Sequence, residues 1–299
     1  MYESQSRVRA FLQPILKRYL RGVLGLVLLA ALLFQVQWNS MINAVTSVNW
    51  WLFSLAVLLA CFSNLVCSFR WAKITNILGT QLSNHRAITL YFRGVAANTI
   101  LPGGIIGGDL YRVVALTQKG STKFSATASV FLDRVSGLWG LSLLSLLTIA
   151  IVLPFEMLGP NVNKKAVVVY AGFLCVVALI PVALAATKRT EFLVLKKTIV
   201  LSAVASTLSA TTFYLCLLAA GGDLSLSSVF IVSTGVFLGA TLPASIGGFG
   251  SREVASVFFL SFFEIATEKS FLASILFGLT ATIQGGISIF LDRVLSPKD

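Results

Sequence analysis

Two stretches of this 299-residue sequence combine glycine, proline and paired charges in a pattern that suits an anion. The first is Asn98-Thr-Ile-Leu-Pro102-Gly-Gly-Ile-Ile-Gly107-Gly108-Asp109-Leu-Tyr-Arg112. The second is Leu242-Pro243-Ala-Ser-Ile-Gly247-Gly248-Phe-Gly250-Ser251-Arg252-Glu253. Glycines let the backbone turn sharply and let other groups approach it closely. A helix that starts just after such a turn aims free N–H groups and the positive end of its dipole at the gap. Asp109 and Ser251 read as N-caps of those helices, with Arg112 one turn beyond the first and Arg252 directly after the second. Helix N-termini together with guanidinium groups suit a phosphate or a carboxylate. The competing structural reading is that the glycines only permit tight helix packing and the arginines snorkel to lipid headgroups.

A second charged element, Asp133-Arg134, lies inside the apolar run Ser129–Trp139. Charges at membrane depth cost about 2.5–3.5 kcal/mol each on insertion scales, so they should face protein or water and be paired. Neighbours on a helix point about 100° apart, so the two should have different partners: Arg134 with Glu253, and Asp133 with Arg252 or Arg112. A static salt bridge is the alternative. Asn98 and Gln284 are single polar residues in apolar surroundings, either part of a site or glue between helices. Arg93 is placed to meet a headgroup at the interface, Glu264 reads as solvated, and Trp38, Trp50 and Trp51 read as aromatic-belt anchors.

Other chemistries lack their residues. The sequence has no G-x-S-x-G, HExxH, Walker A or acidic metal-binding cluster, and Gly104–Gly108 lacks the spacing of a dinucleotide fingerprint. His85 is the single histidine, and Cys61, Cys67, Cys175 and Cys216 fall inside apolar segments without a CxxC pair, as small buried hydrophobes do. No metal and no cofactor is expected.

The elements that must carry these residues are membrane helices. Only 11% of the residues are charged and 57% are hydrophobic, against roughly 25% charged in soluble domains, and mean hydropathy is +0.89. Apolar segments run over 22–38, 50–69, 87–101, 126–153, 166–187, 198–220, 227–242, 254–264 and 271–291, most of them near the roughly 20 residues that cross a bilayer as helix. The segments 87–101, 227–242 and 254–264 are short and border the two glycine-rich stretches. Pairing them into two re-entrant hairpins, 87–125 and 227–264, leaves six full spans with both termini cytoplasmic. Inside loops then hold 18 basic residues, Arg70 among them, and outside loops three, as the positive-inside rule requires. The net charge of +12 is thereby assigned to loops facing anionic phospholipids, not to nucleic acid. The basic segment 1–21 reads as the cytoplasmic start of an uncleaved first helix.

The expected architecture is an all-α polytopic membrane protein: one integral domain over 1–299, with two opposed hairpins. Each hairpin carries a Leu-Pro, a Gly-Gly and an arginine nine or ten residues past the proline, the trace that an inverted repeat leaves. Broken backbone at membrane depth is tolerated only where protein buries it or water lines it.

At these motifs the sequence resembles the flippase-like membrane family, whose multi-spanning domain also forms the N-terminal half of bacterial lysylphosphatidylglycerol synthases. The family pattern N-x-x-x-P with Gly-acid-x-x-Arg is met by Asn98, Pro102, Gly108, Asp109 and Arg112. The pattern P-x-x-x-G-G-x-G-x-R-E is met by Pro243, Gly247, Gly248, Gly250, Arg252 and Glu253, and the family's acid-Arg helix pair by Asp133-Arg134. The family often has an acid three positions after that pair, where this chain has Gly137. Only seven or eight residues follow the last apolar span, so the expectation is a stand-alone membrane domain and not a lysyltransferase. The resemblance implies a lipid translocator of a bacterial or archaeal cytoplasmic membrane, acting on a phospholipid or a lipid-linked saccharide. Arg112 and Arg252 would hold the phosphate, with Asp109 and Glu253 neutralising them when the cavity is empty. A membrane-embedded transferase using Asp109 or Glu253 as base, and a non-transporting subunit of an envelope-assembly complex, are the alternatives. A second copy of the chain or an envelope-synthesis partner would be the protein contacts.

Overall fold

The computed structural model describes residues 38–100, 105–152, 164–187, 189–241, 245–246 and 249–295. Pro102, Pro243, Gly247 and Gly248 lie outside them, as do segment 1–21 and all but the last residue of the expected span 22–38. The described residues form ten helices and a two-residue β-pairing. The helices are α1 (Trp38–Thr46), α2 (Trp50–Ile77), α3 (Asn84–Ile100), α4 (Ile105–Thr117), α5 (Lys123–Val152), α6 (Lys164–Thr187), α7 (Arg189–Ala219), α8 (Leu226–Thr241), α9 (Ser251–Ser261) and α10 (Thr267–Leu295). Strands β1 (Ser245–Ile246) and β2 (Phe249–Gly250) pair antiparallel between α8 and α9.

Five of these helices, α2, α5, α6, α7 and α10, are long and apolar enough to cross a membrane. Their outward faces carry exposed side chains such as Leu58, Phe131, Leu147, Val169 and Leu179, far more apolar surface than a water-soluble monomer presents. Inward faces carry small polar residues instead: Ser129, Ser136, Ser142, Ser202 and Thr212 are buried. Small residues let helix backbones approach in lipid, where no hydrophobic force drives them together. At Gly140 an added Cβ would meet Ser206 Oγ at 2.6 Å and the Ser202 carbonyl at 2.8 Å, so α5 and α7 touch almost backbone to backbone there.

Local sequence sets the helix ends. The Asn49 side chain accepts from the N–H groups of Trp51 and Leu52 at 3.1 and 3.2 Å and starts α2. Thr122 caps α5 through the Ser125 N–H at 3.1 Å, and Ser225 caps α8 through the Ser228 N–H at 3.2 Å.

The five long helices frame two helical hairpins that leave opposite ends of the bundle. At the C-terminal end of α2, Ser125 Oγ donates to the Leu78 carbonyl at 2.9 Å, and the hydroxyls of Thr80 and Ser121 are hydrogen-bonded. The chain therefore enters and leaves the α3–α4 hairpin at one level. At the N-terminal end of α2, the Asn49 N–H donates to the Ala219 carbonyl at 3.0 Å, and a Cβ on Gly221 would lie 4.0 Å from Lys269 Cε. The α8–α9 hairpin therefore enters and leaves at the other level. Twenty-eight residues of α2 rise about 42 Å at 1.5 Å per residue, so the two hairpins connect to opposite ends of that helix.

Within the first hairpin, α3 and α4 close around Gly94 and Gly108. A Cβ on Gly108 would collide with the Gly94 carbonyl and would sit 2.6 Å from Asn98 Oδ1. Asn98 Oδ1 accepts the Gly108 N–H at 2.6 Å, supplying a partner to one of the first-turn N–H groups that a helix leaves open. In the second hairpin, Gly235 faces the Phe259 ring and Gly239 faces the Ala255 Cβ, both too close for any side chain on the glycine.

Candidate functional site

Residues of α3, α4 and α9 border a cavity of about 220 Å³ together with the long helices. Asn98 from α3, Gly108 and Arg112 from α4, Arg134 from α5 and Arg252 from α9 all line it. The floor at α2 is Ala60, Ser63 and Asn64, midway along that helix. Three guanidinium groups from three helices thus line one cavity.

Carboxylates stand behind them as counter-charges. Asp133 is 1% exposed; its Oδ1 accepts from Arg70 Nε at 2.9 Å and its Oδ2 from Arg112 Nη1 at 3.0 Å. Asp109 accepts from Arg112 Nη2 at 2.7 Å and from Arg134 Nη2 at 2.8 Å, with Arg134 Nε also 3.1 Å from Asp109 Oδ2. This connected group has three arginines and two aspartates, hence a net charge of +1. Arg112 is further held between two rings, its Cζ lying 5.1 Å from the Trp71 centroid and 4.8 Å from that of Tyr91.

At the second hairpin, Gly250 has φ 126°, a backbone conformation that side chains disfavour, and it turns the chain into α9. Glu253, fully buried, reaches back to accept the Gly250 N–H through Oε2. Its Oε1 accepts from Arg252 Nη2 at 2.7 Å and from Ser274 Oγ at 3.0 Å. Arg252 Nε is 3.0 Å from Ser274 Oγ, and its Cζ lies 5.6 Å from the Phe277 centroid. Arg252 is therefore oriented into the cavity by its sequence neighbour and by α10.

The lysylphosphatidylglycerol synthase TM region family matches residues 19–287, all but the two ends of the chain. The chain belongs to that family. A UPF0104 membrane protein of Pyrococcus horikoshii is 26% identical over 122 residues, which are 40% of this chain and 36% of that protein. The chain thus matches little more than a third of that relative's length. Five apolar spans and the family together make this a multi-pass membrane protein.

Of the positions singled out in the sequence, Asn98, Gly108, Arg112, Arg134 and Arg252 line the cavity, while Asp109, Asp133 and Glu253 hold its arginines. Gly107 is buried on α4, and Arg93 is half-buried on α3 without lining the cavity. Several details differ from the sequence reading. Arg134 pairs with Asp109 and not with Glu253, because α4 packs on α5 and Glu253 is already occupied by Gly250, Arg252 and Ser274. Asp109 is not an N-cap: α4 begins at Ile105, which puts Asp109 a full turn inside, where it reaches across to α5. Ser251 is the first helical residue, and Gly250 is the cap. Asp133 meets Arg112, as the pairing rule allowed.

Arg70, expected in a cytoplasmic loop, is instead 4% exposed and bonded to Asp133. The signal for it was present: Trp71, Ile74 and Ile77 continue the helical apolar spacing past residue 69, so Arg70 lies within the span. Also missed were Asn64, Ser63 and Ser209, whose types are common in packed membrane helices. Cys175 is exposed on α6, unlike the buried position expected of it.

Proposed function

We propose that the protein moves a lipid with a phosphate-containing headgroup between the leaflets of a bacterial or archaeal cytoplasmic membrane, with both termini cytoplasmic. The observation that carries this reading is the convergence of Arg112, Arg134 and Arg252, from helices of both hairpins and one span, on a single cavity. In the proposed arrangement the first hairpin enters the membrane from the cytoplasm and the second from outside, so the cavity lies near the midplane. Planar guanidinium forks match phosphate oxygens better than any other side chain, and the acyl tails would remain in lipid. Asp109 and Glu253 would trade places with the phosphate as partners of the arginines on each cycle. A broken helical element buried at membrane depth is tolerated where it lines such a cavity, and opposed elements of this kind are how many transporters open alternately to either side.

The family's name points to phosphatidylglycerol carrying a lysyl group, and anionic phospholipid at the cytoplasmic face is the natural source. Transferase chemistry with Asp109 or Glu253 as base is disfavoured, because each carboxylate is engaged by guanidinium donors. The test is a leaflet assay in proteoliposomes with a head-labelled phospholipid. Wild-type protein should accelerate exchange, and an Arg252→Ala, Glu253→Gln double variant should lose at least nine-tenths of that acceleration. A double variant running at the wild-type rate would end the reading.

A further inference from the structure

Four buried side-chain polar atoms lack a hydrogen-bond partner among the described residues, and of the residues that carry them only Gln284 lines the cavity. Gln284 is 2% exposed, and its Oε1 accepts from Asn64 Nδ2 at 2.7 Å. That bond ties α10 to α2 and fixes the amide, leaving Nε2 with its protons unused. Tying the helices together needs one end of the amide only. The other end is desolvated with nothing to bond, a costly state unless a partner is supplied.

One turn earlier on the same helix stands a group of complementary capacity. Thr280 Oγ1 donates to the Phe277 carbonyl at 2.8 Å, so toward the cavity it offers lone pairs only. Thr212 on α7 is in the same state, donating to the Leu208 carbonyl at 2.8 Å, and both threonines line the cavity. Positions i and i+4 share a helix face, with Cβ atoms about 5–6 Å apart. Thr280 and Gln284 therefore set an acceptor and a donor side by side. A single hydroxyl between them can donate to Thr280 and accept from Gln284. It serves equally with the two amides turned over, because a hydroxyl donates to an amide oxygen as readily as it accepts from an amide N–H. A phosphate oxygen only accepts and leaves the threonines unused.

The same helix sets the distance from the charge. Arg252 Cζ lies 5.6 Å from the Phe277 centroid, and Thr280 and Gln284 follow Phe277 by about 4.5 and 10.5 Å along the axis at 1.5 Å per residue. A hydroxyl two or three carbons beyond a phosphate held by Arg252 comes within reach of the pair.

We propose that Gln284, held by Asn64 and paired with Thr280, binds a hydroxyl on the substituent beyond the phosphate, so that the cavity distinguishes polyol phosphodiesters from those whose substituent has no hydroxyl. The proposal rests on the cavity being a headgroup site, and one free hydroxyl near the phosphate is its requirement, whatever else the headgroup carries. Purified full-length protein in detergent would be titrated calorimetrically with dihexanoyl phosphatidylglycerol and dihexanoyl phosphatidylpropanol. These share charge, phosphodiester and carbon skeleton and differ only in the hydroxyls. Free glycerol phosphate and propyl phosphate form the second pair. Phosphatidylglycerol should bind at least fivefold tighter than phosphatidylpropanol. Gln284→Met, of similar length but without the N–H donors, should bring that ratio to about one while changing phosphatidylpropanol affinity less than twofold. Thr280→Val should lower the ratio at least twofold, and serves if the first variant does not fold. A Gln284→Met variant that keeps the wild-type ratio, or weakens both lipids alike, would make Gln284 a helix tie only and overturn its assigned role. Glycerol phosphate binding as tightly as the lipid, and tighter than propyl phosphate, would uphold hydroxyl recognition with a soluble ester as its source. Equal affinity of the wild type for the two lipids overturns the proposal and leaves the phosphate site standing; binding of neither lipid removes the phosphate site and the proposal with it. Hydroxyl-dependent binding without leaflet exchange would uphold the proposal and remove translocation.

Discussion

Asp109 on α4 and Arg134 on α5 meet at 2.8 Å, and the same carboxylate holds Arg112 at 2.7 Å. One acid thus restrains two of the three guanidiniums that line the cavity. Replacing it by the isosteric amide raises the local charge by one without opening a void. At separations of 4–8 Å and an effective dielectric of about 20, an added unit charge changes a phosphate's interaction by about 2–4 kcal/mol, reduced by water entering the site. Asp109→Asn should therefore bind inorganic phosphate or a short-chain phospholipid at least tenfold tighter and release it more slowly, so leaflet exchange falls. Calorimetric titration in detergent alongside the liposome assay checks both signs. Weaker phosphate binding in the variant would show that Asp109 does not compete with ligand.

Asp133 plays a different part. It is buried with Arg70 and Arg112, so its removal leaves the desolvated Arg70 without its acid and Arg112 with Asp109 alone. Breaking a buried pair costs about 3–5 kcal/mol. Asp133→Leu should lower the thermal midpoint sharply, and the double variant Asp133→Leu, Arg70→Met should recover much of that loss, since Arg112 keeps Asp109. Thermal unfolding of the detergent-solubilised variants decides it. A double variant no more stable than Asp133→Leu alone would mean that Arg70 is accommodated without its acid.

How far the sequence reaches is clearest at these same residues. The rarity of charge at membrane depth marked Asp133, Arg134 and Arg252 as paired, and the glycine-rich stretches pointed to Gly108, Arg112 and Arg252 on the cavity wall. Five of six expected spans are the five long apolar helices, and the sixth falls outside the described residues. Partner identity was less legible, because it depends on which helix faces pack. Nothing local to Arg134 distinguishes Asp109 from Glu253; the α4–α5 contact does. Arg70 escaped for a related reason: a single arginine near the end of an apolar run looks like a loop residue until the partner acid on another helix is seen. Asn64 and Gln284 are 220 positions apart, and no periodicity links them.

The two mouths of the hairpins make a topological prediction. With the four native cysteines replaced by alanine, single cysteines at Gln81 and Lys119, both exposed, flank the first hairpin. Those at Asp223 and Glu264, also exposed, flank the second. A membrane-impermeant maleimide should modify the first pair from the cytoplasmic face only and the second pair from the opposite face only. Labelling of Gln81 and Lys119 from different faces would mean that α3 and α4 cross the membrane as a continuous pair of segments, and the shared mouth seen at Thr80 and Ser121 would have to be abandoned.

Gly108 offers the sharpest test of the hairpin itself. Its Cα hydrogen faces the Gly94 carbonyl, and a methyl group there collides with backbone and not with a movable side chain. Gly108 also donates its N–H to Asn98, so displacing α4 breaks that bond and moves Arg112, which follows one turn later. On helix propensity alone, Gly→Ala within a helix stabilises by about 0.5–1 kcal/mol. Gly286 on α10 shows that baseline, since a Cβ there meets nothing within 4 Å. Gly286→Ala should therefore hold or raise the thermal midpoint and leave exchange intact. Gly108→Ala should lower the midpoint despite its better propensity, and should reduce phosphate binding because Arg112 shifts off Asp133. Asn98→Asp supplies the complementary change: it keeps an acceptor for the Gly108 N–H but adds a negative charge to the cavity wall. It should spare stability more than Gly108→Ala does, while weakening phosphate binding at least tenfold. If Gly108→Ala is as stable as Gly286→Ala, the close α3–α4 contact is not what positions Arg112, and the cavity must be held together from α5 and α10 instead.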